Sequence, residues 1–272
     1  MIRDFFRSCH ALLLDFQDWL IRLTAGQLSL PPRRLRDVGS DSLEDFERTG
    51  REFLEYFKEF CALSPGEDVL EIGCGSGRIA LALTSWLDHG GSYTGVEIVK
   101  PSVEWCAKNI SARFPNFHFV HADLYNKRYN PTSTVLAREY SFPFPDSSFD
   151  FVYLTSVFTH LLPEDLEHYL SEIRRLMRSD GRTLVTCFLL NATQRDLAKQ
   201  GKNAIDFFAL DSHCRVRDFD VPESAVAYEE EYLLGLFEDQ GLSLAQPVRY
   251  GTWSGRSNGL SFQDILILSA EK

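Results

Sequence analysis

A chain of 272 residues with 44% hydrophobic and 25% charged side chains has the composition of a folded protein, with room for one α/β domain and a large core. Its formal net charge of −11 opposes long-range attraction to phosphate backbones, so nucleic acid is not the expected partner. Six scattered cysteines without a C-x-x-C pair and seven histidines without ligand spacing speak against a disulfide framework and a zinc site. With no signal peptide visible, they place the chain in the reducing cytoplasm.

In residues 2–23, Phe5, Phe6, Cys9, Leu12, Leu13, Phe16, Trp19, Leu20 and Leu23 recur at helical spacing, which predicts an amphipathic helix. Asp15, Asp18 and Arg22 interrupt the stripe, so it is no membrane span. An interfacial membrane helix needs a Lys/Arg-rich polar face, whereas Asp matches Arg here. Docking on the domain or a homodimer contact is therefore expected. Pro31-Pro32 and a basic cluster of Arg33, Arg34 and Arg36, read as solvated, end this extension, residues 1–40. A domain of residues 41–272 follows, opened by a helix at 41–61 with Asp41 or Ser42 as N-cap. Strands are predicted at 68–72, 92–98, 117–121, 149–155, 182–190, 244–250 and 262–269, and helices at 78–87, 101–114, 163–178 and 224–240. Such alternation implies a mostly parallel sheet with helices on both faces. The last two strands, joined through GTWSGRSNG, should form an antiparallel hairpin. The fold class is α/β, a three-layer Rossmann-like arrangement.

The chemistry concentrates in VLEIGCGSG, residues 69–77. An apolar strand runs into Gly73, Gly75 and Gly77, and the helical run RIALALTSWL follows. A Cβ would block both the sharp turn and the approach of a ligand to the backbone. Glu97, 20 residues beyond the last glycine, can accept hydrogen bonds from both hydroxyls of a ribose. An adenosine-type ligand is expected, a ligand-free glycine turn being the plainer alternative. Arg78 stands where a dinucleotide fingerprint needs its third glycine, and Glu71 would repel a pyrophosphate but suits an ammonium. A nicotinamide-dependent oxidoreductase is thereby disfavoured.

The E-x-G-x-G-x-G pattern resembles motif I of the class I S-adenosylmethionine (SAM)-dependent methyltransferases. The resemblance extends over residues 53–272, closest to the group acting on small molecules. It implies a SAM cofactor (S-adenosylhomocysteine after transfer) held by Glu71, Gly73, Cys74, Gly75, Gly77, Arg78, Glu97 and Ile98. In HADLY, Asp123 matches the acceptor of the adenine amine, and the Leu124 amide would face a ring nitrogen. Thr155 and Ser156, at the end of the fourth strand, would line the methionine part. Asp150 looks like the family's buried acidic residue, with a structural role. The resemblance further implies methyl transfer in line with the sulfonium, the protein supplying alignment and a base where needed. His160 is the candidate base by position and titration range, set against a plain packing role. Tyr125, Trp253 and Arg256 are candidate substrate residues, since loops at strand ends carry specificity; Arg256 could hold a carboxylate or phosphate. Residues 191–221 would form a substrate lid. A small-molecule acceptor, most simply an oxygen nucleophile on a metabolite or glycan, is expected. A non-catalytic SAM-fold partner protein is the alternative, although Glu71, Glu97 and Asp123 are all in place.

Overall fold

The computed structural model describes residues 2–36, 42–88 and 90–270, with side chains from residue 13 onward. In chain order the elements are α1 (Ile2–Thr24), α2 (Leu43–Cys61), β1 (Asp68–Ile72), α3 (Arg78–Leu83), β2 (Ser92–Glu97) and α4 (Lys100–Cys106). Next come β3 (Phe117–His121), β4 (Phe149–Leu154), α5 (Pro163–Leu176), β5 (Met177–Cys187), β6 (Leu189–Leu190) and α6 (Ala192–Lys199). The chain finishes with β7 (Phe208–Ala209), β8 (Cys214–Val216), β9 (Val226–Glu229), α7 (Glu230–Asp239), β10 (Leu242–Leu244) and β11 (Asp264–Ala270).

The main sheet has the order β10-β11-β5-β4-β1-β2-β3. β3, β2, β1, β4 and β5 run parallel, and β11 is antiparallel to both β5 and β10. This is the expected seven-stranded, mostly parallel sheet with a terminal antiparallel pair. Strand alternation splits its side chains between two cores. Leu70, Ile72, Val152 and Leu154 pack with Leu166, Leu170 and Ile173 of α5 and with Phe237 of α7. Val69, Phe151 and Tyr153 meet Phe53, Leu54 and Phe57 of α2 and Ile79 and Leu83 of α3. A second sheet, β6-β9-β8-β7, takes β7 and β8 from the segment expected to be a lid.

Several expectations need correction. The helix expected at 224–240 begins only at Glu230; before it, the buried run Val226–Glu229 forms β9, paired with β6 and β8. Long-range pairing there overrides local periodicity. The strand expected at 244–250 shortens to β10, because Pro247 cannot donate to a ladder; beyond it the Ala245 N–H still donates to the Ile267 carbonyl and the Arg249–Ile265 bridge persists. The strand expected at 182–190 breaks after Cys187, and β6 leaves for the second sheet. Ser42 is the N-cap of α2, its hydroxyl accepting from the Asp45 N–H at 3.0 Å. Asp41 lies outside the described residues, as do the side chains of Phe5, Phe6, Cys9 and Leu12.

The docked face of α1 is polar. Asp18 and Arg22, which interrupt the apolar stripe, are buried, whereas Leu13, Phe16, Trp19, Leu20 and Leu23 are exposed. Asp18 receives Arg22 Nε at 2.8 Å, the Arg33 N–H at 3.1 Å and the Arg36 guanidinium. Arg36, expected to be solvated, is thus buried and ties the linker to α1. No described helix is long and apolar enough to cross a membrane. Asp150 has a structural role: its Oδ2 accepts the Asp68 N–H at 2.7 Å and pairs with Arg178.

At the other end of the sheet, Asp264 is fully buried and accepts from the Leu189 N–H, the Gly251 N–H and Trp253 Nε1 at 2.6–2.8 Å. Asp264→Ala strands three buried donors and is expected to cost about 3 kcal/mol of unfolding free energy in urea titrations. A loss below about 1 kcal/mol would refute this reading. Burial pushes the Asp264 carboxyl up to about 6. The folded state therefore holds this proton more tightly than the unfolded chain, so the contribution is fully present below about pH 3.9 and fades as pH rises through about 6.

Candidate active site

At the carboxyl ends of β1, β2 and β4 the chain opens into a cleft whose empty space, open mouth included, is about 930 Å³. Its walls are the β1 turn (Ile72, Gly73, Gly75), the end of β2 (Glu97, Ile98), the loop after β3 (Leu124, Tyr125) and the end of β4 (Thr155, Ser156), with His160 and the linker's Leu35. Open α/β sheets receive ligands at this edge. Gly73 has φ +83°, and a Cβ there would lie 2.4 Å from Val157 Cγ2. The two strand-end loops touch at that glycine. A Cβ on Gly77 would strike Ile110 and Cys106, so this glycine serves close packing of α3.

Glu97 organises the turn. It is buried, with Oε2 accepting the Gly75 N–H and Oε1 the Val99 N–H, both at 2.8 Å. Burial raises its carboxyl, and the backbone donors offset part of that rise. Each oxygen keeps lone-pair capacity for a further donor.

Glu71 lies on the opposite side of β1, where Tyr93 and Tyr153 hydroxyls donate to its Oε2 at 2.5 and 2.8 Å. It borders a smaller cavity with Arg36, Cys74, Ser76, Arg78 and Thr155. Burial lifts its carboxyl to about 7 despite both tyrosines and the Arg78 charge. The Cys74 thiol is buried and pushed up in the same way, and Arg78 is pulled below the usual guanidinium range by burial.

A third cavity adjoins the first and shares Tyr129, Thr155, Ser156 and His160 with it. Thr155 borders all three. Ser156 holds a left-handed backbone at φ +60°, a strained conformation for a residue with a side chain. Its N–H donates to Thr186 Oγ1 at 2.8 Å, and the Thr186 and Ser156 hydroxyls both donate to Gln263 Oε1, at 2.5 and 3.2 Å. With its carbonyl thus occupied, Gln263 offers its amide N–H₂ to the third cavity, which it borders.

His160 stands at the junction. Its Nδ1 lies 2.7 Å from the Glu223 carbonyl, which can only accept, so Nδ1 carries the proton and Nε2 a lone pair. The Tyr129 hydroxyl is 3.4 Å from Nε2. Burial lowers the His160 pKa, partly opposed by the Glu223 hydrogen bond.

Other expected site residues are placed differently. Asp123 is exposed between the lining residues Ala122 and Leu124, its Oδ1 accepting from Asn130 at 2.8 Å. The Leu124 N–H, expected to face a ligand ring, donates to the Ala122 carbonyl at 2.8 Å. Trp253 is fully buried in a satellite core with Phe188 and bound to Asp264, and does not line the cavities. Arg256 bonds Ser254 and Asn191 and stacks on Tyr250, so it braces the hairpin loop instead of facing a substrate. Tyr93, Tyr153, Tyr129 and Gln263 carried no motif that would have singled them out.

A family profile described as a methyltransferase domain matches residues 70–185. Among curated relatives, the tRNA N(3)-cytidine methyltransferase METTL2 of Gallus gallus is 28% identical over 137 residues, covering 47% of this chain and 32% of that protein. The O-methyltransferase cnsE of Penicillium expansum is 29% identical over 127 residues, covering 45% and 39%. The chain thus spans about a third of the length of these relatives. Among solved structures, the Burkholderia thailandensis 1,6-didemethyltoxoflavin-N1-methyltransferase, with 1,6-didemethyltoxoflavin and S-adenosylhomocysteine bound, aligns with a TM-score of 0.54 at 16% identity, covering 98% of this chain and 90% of that one. At such identity the likeness is one of fold. Fold, matched domain and the E-x-G-x-G-x-G turn agree: residues 70–185 carry a methyltransferase domain, with the fold and glycine turn of the class I SAM-dependent kind.

Proposed function

We propose that the protein transfers a methyl group from SAM to a hydroxyl oxygen of a small molecule, a metabolite or a glycan, with His160 as the base. The observation that carries this reading is the unprotonated Nε2 of His160 at the one wall shared by a glycine-turn cleft and a second, wider cavity. The first cleft fits the cofactor: Glu97 presents acceptor capacity to a ribose beside open space at Gly75, and Ile98 and Leu124 give an apolar wall for a purine. Thr155 and Ser156 would flank the methionine part, near Glu71 and Arg78 for its ammonium and carboxylate. When bound, SAM supplies an activated methyl electrophile, so the residues need only align the acceptor, exclude water and remove a proton. The Glu223 carbonyl holds His160 in the tautomer that accepts at Nε2. Ile205 and Arg217, from the segment 191–221, border the acceptor side and support its reading as a lid. Overall acidity supports a small acceptor over nucleic acid.

Calorimetry with SAM, S-adenosylhomocysteine and NADH, followed by S-adenosylhomocysteine release over hydroxyl, amine and carbon acceptors, tests the proposal. Binding of NADH alone, or turnover restricted to amines, would overturn it. Glu71 adds a linked signal. A ligand cation beside a carboxyl poised near 7 lowers its pKa, so SAM binding at neutral pH should release protons and tighten as pH rises through about 7. Binding enthalpies identical in PIPES and Tris, whose ionisation enthalpies differ, would show that Glu71 does not sense the ligand.

A further inference from the structure

The wider cavity is unusually cationic for an acidic protein. Arg48, Arg78, Arg128 and Arg217 border it, and Glu52 is the carboxylate that does so among the described residues. Arg48 bonds Glu52 at 2.8 Å, and Arg78 stands within the field of Glu71, so these charges are offset locally. Arg128 and Arg217 are different. Both are exposed, and neither forms an ion pair with a described carboxylate. Both border the cavity beside one turn: the Arg128 guanidinium reaches the Ser224 carbonyl at 3.5 Å, and the backbone N–H of Arg217 donates to the Ala225 carbonyl at 3.0 Å.

Two hydroxyls lie in the same wall. Thr159 is 1% exposed, yet its Oγ1 has no hydrogen-bond partner, and the buried Oγ of Ser224 has none either. A buried hydroxyl without a partner costs free energy unless a ligand satisfies it. Thr159 precedes His160, and Ser224 follows the Glu223 carbonyl that holds the imidazole. The neighbouring Glu223 carboxylate, whose Oε2 is buried without a hydrogen-bond partner, adds to the upward push on Asp165 and does not border the cavity. Tyr129, on whose ring the Arg128 guanidinium rests at 5.2 Å, borders the cavity too, as do Phe188 and Phe262.

Resting on the methyl-transfer reading above, we propose that the acceptor carries an anionic handle, a carboxylate or phosphate. It docks between Arg128 and Arg217 on the Thr159 and Ser224 hydroxyls, which presents a separate hydroxyl of the same molecule to His160 Nε2. Guanidiniums match such oxyanions, and each charge-assisted bond is stronger than a neutral one. The anion is a handle and not the nucleophile: the hydroxyl oxygen forms the new bond to the methyl carbon, its proton goes to Nε2, and the sulfur–carbon electron pair returns to sulfur.

The test separates docking from chemistry. With saturating S-adenosylhomocysteine, benzoate and phenyl phosphate at millimolar concentration should raise the melting temperature, whereas benzamide and benzyl alcohol should not; the two anions distinguish carboxylate from phosphate. The Arg128→Ala/Arg217→Ala variant, altered only at exposed positions, should still bind S-adenosylhomocysteine but bind the preferred anion about 10- to 100-fold more weakly, and the double lysine variant should recover part of it. With 4-hydroxybenzoate or 4-hydroxyphenyl phosphate as acceptor, the alanine variant should raise KM and spare kcat. Equal shifts from the neutral compounds, no shift from either anion, an anion shift that survives in the alanine variant, or a methyl ester as product would each overturn the proposal. Failure of S-adenosylhomocysteine itself to bind would instead refute the methyltransferase reading.

Discussion

Glu97→Ala should weaken SAM binding by about 100- to 1,000-fold in calorimetry, the steepest loss expected of any single substitution in the cofactor cleft. The carboxylate acts twice. It latches the glycine turn through the Gly75 N–H and fixes the next loop through the Val99 N–H, both at 2.8 Å, and the ribose hydroxyls are expected on the same oxygens. Each charged hydrogen bond is worth about 1.5–3 kcal/mol, and its removal leaves buried donors unsatisfied. Glu97→Gln retains one acceptor oxygen and should fall between the two. A Kd for Glu97→Ala within about 5-fold of the parent, less than 1 kcal/mol, would remove Glu97 from the cofactor site.

His160→Ala should reduce turnover by about 100- to 10,000-fold, the range for loss of a positioned general base, while SAM affinity stays nearly unchanged. The hydrogen bonds of the imidazole go to the Glu223 carbonyl and the Tyr129 hydroxyl, so its removal leaves Glu97 and the glycine turn in place. The pH profile gives an independent check. A base works unprotonated, and burial pulls the His160 pKa below its usual value. Activity should therefore persist below the ordinary histidine midpoint of about 6.5 and fall only at more acidic pH. An acid limb at or above that midpoint, or unchanged turnover in the alanine variant, would reduce His160 to a packing residue.

Much of the cofactor half was legible because it rests on local chemistry. The glycine spacing, the run into Glu71 and the offset to Glu97 each reflect a constraint within one strand–turn–helix unit, and the strands 68–72 and 117–121 appear as expected. The acceptor half resists such reading because it is assembled from distant segments. Trp253, expected as a substrate residue of the hairpin loop, is drawn inward by Asp264, 11 residues later, which binds its indole. Arg256 looked like an anion hook and is instead held by Asn191, 65 residues away. Two of the arginines that border the wider cavity, Arg128 and Arg217, sit in stretches with no periodicity and no motif. The docked face of α1 was hidden for a related reason. Apolar spacing marks the side of a helix that wants cover, but here a buried carboxylate with two arginines made the contact.

The shared wall of Tyr129, Thr155, Ser156 and His160 has a consequence for how such a protein can change. Ahead of it lie most of the residues that border the glycine-turn cleft; beyond Phe188 lie many of those that border the wider cavity. A lineage, or an experimenter, can therefore rewrite the later stretch and reshape the wider cavity while the glycine-turn cleft remains as inherited, provided the four boundary residues stay fixed.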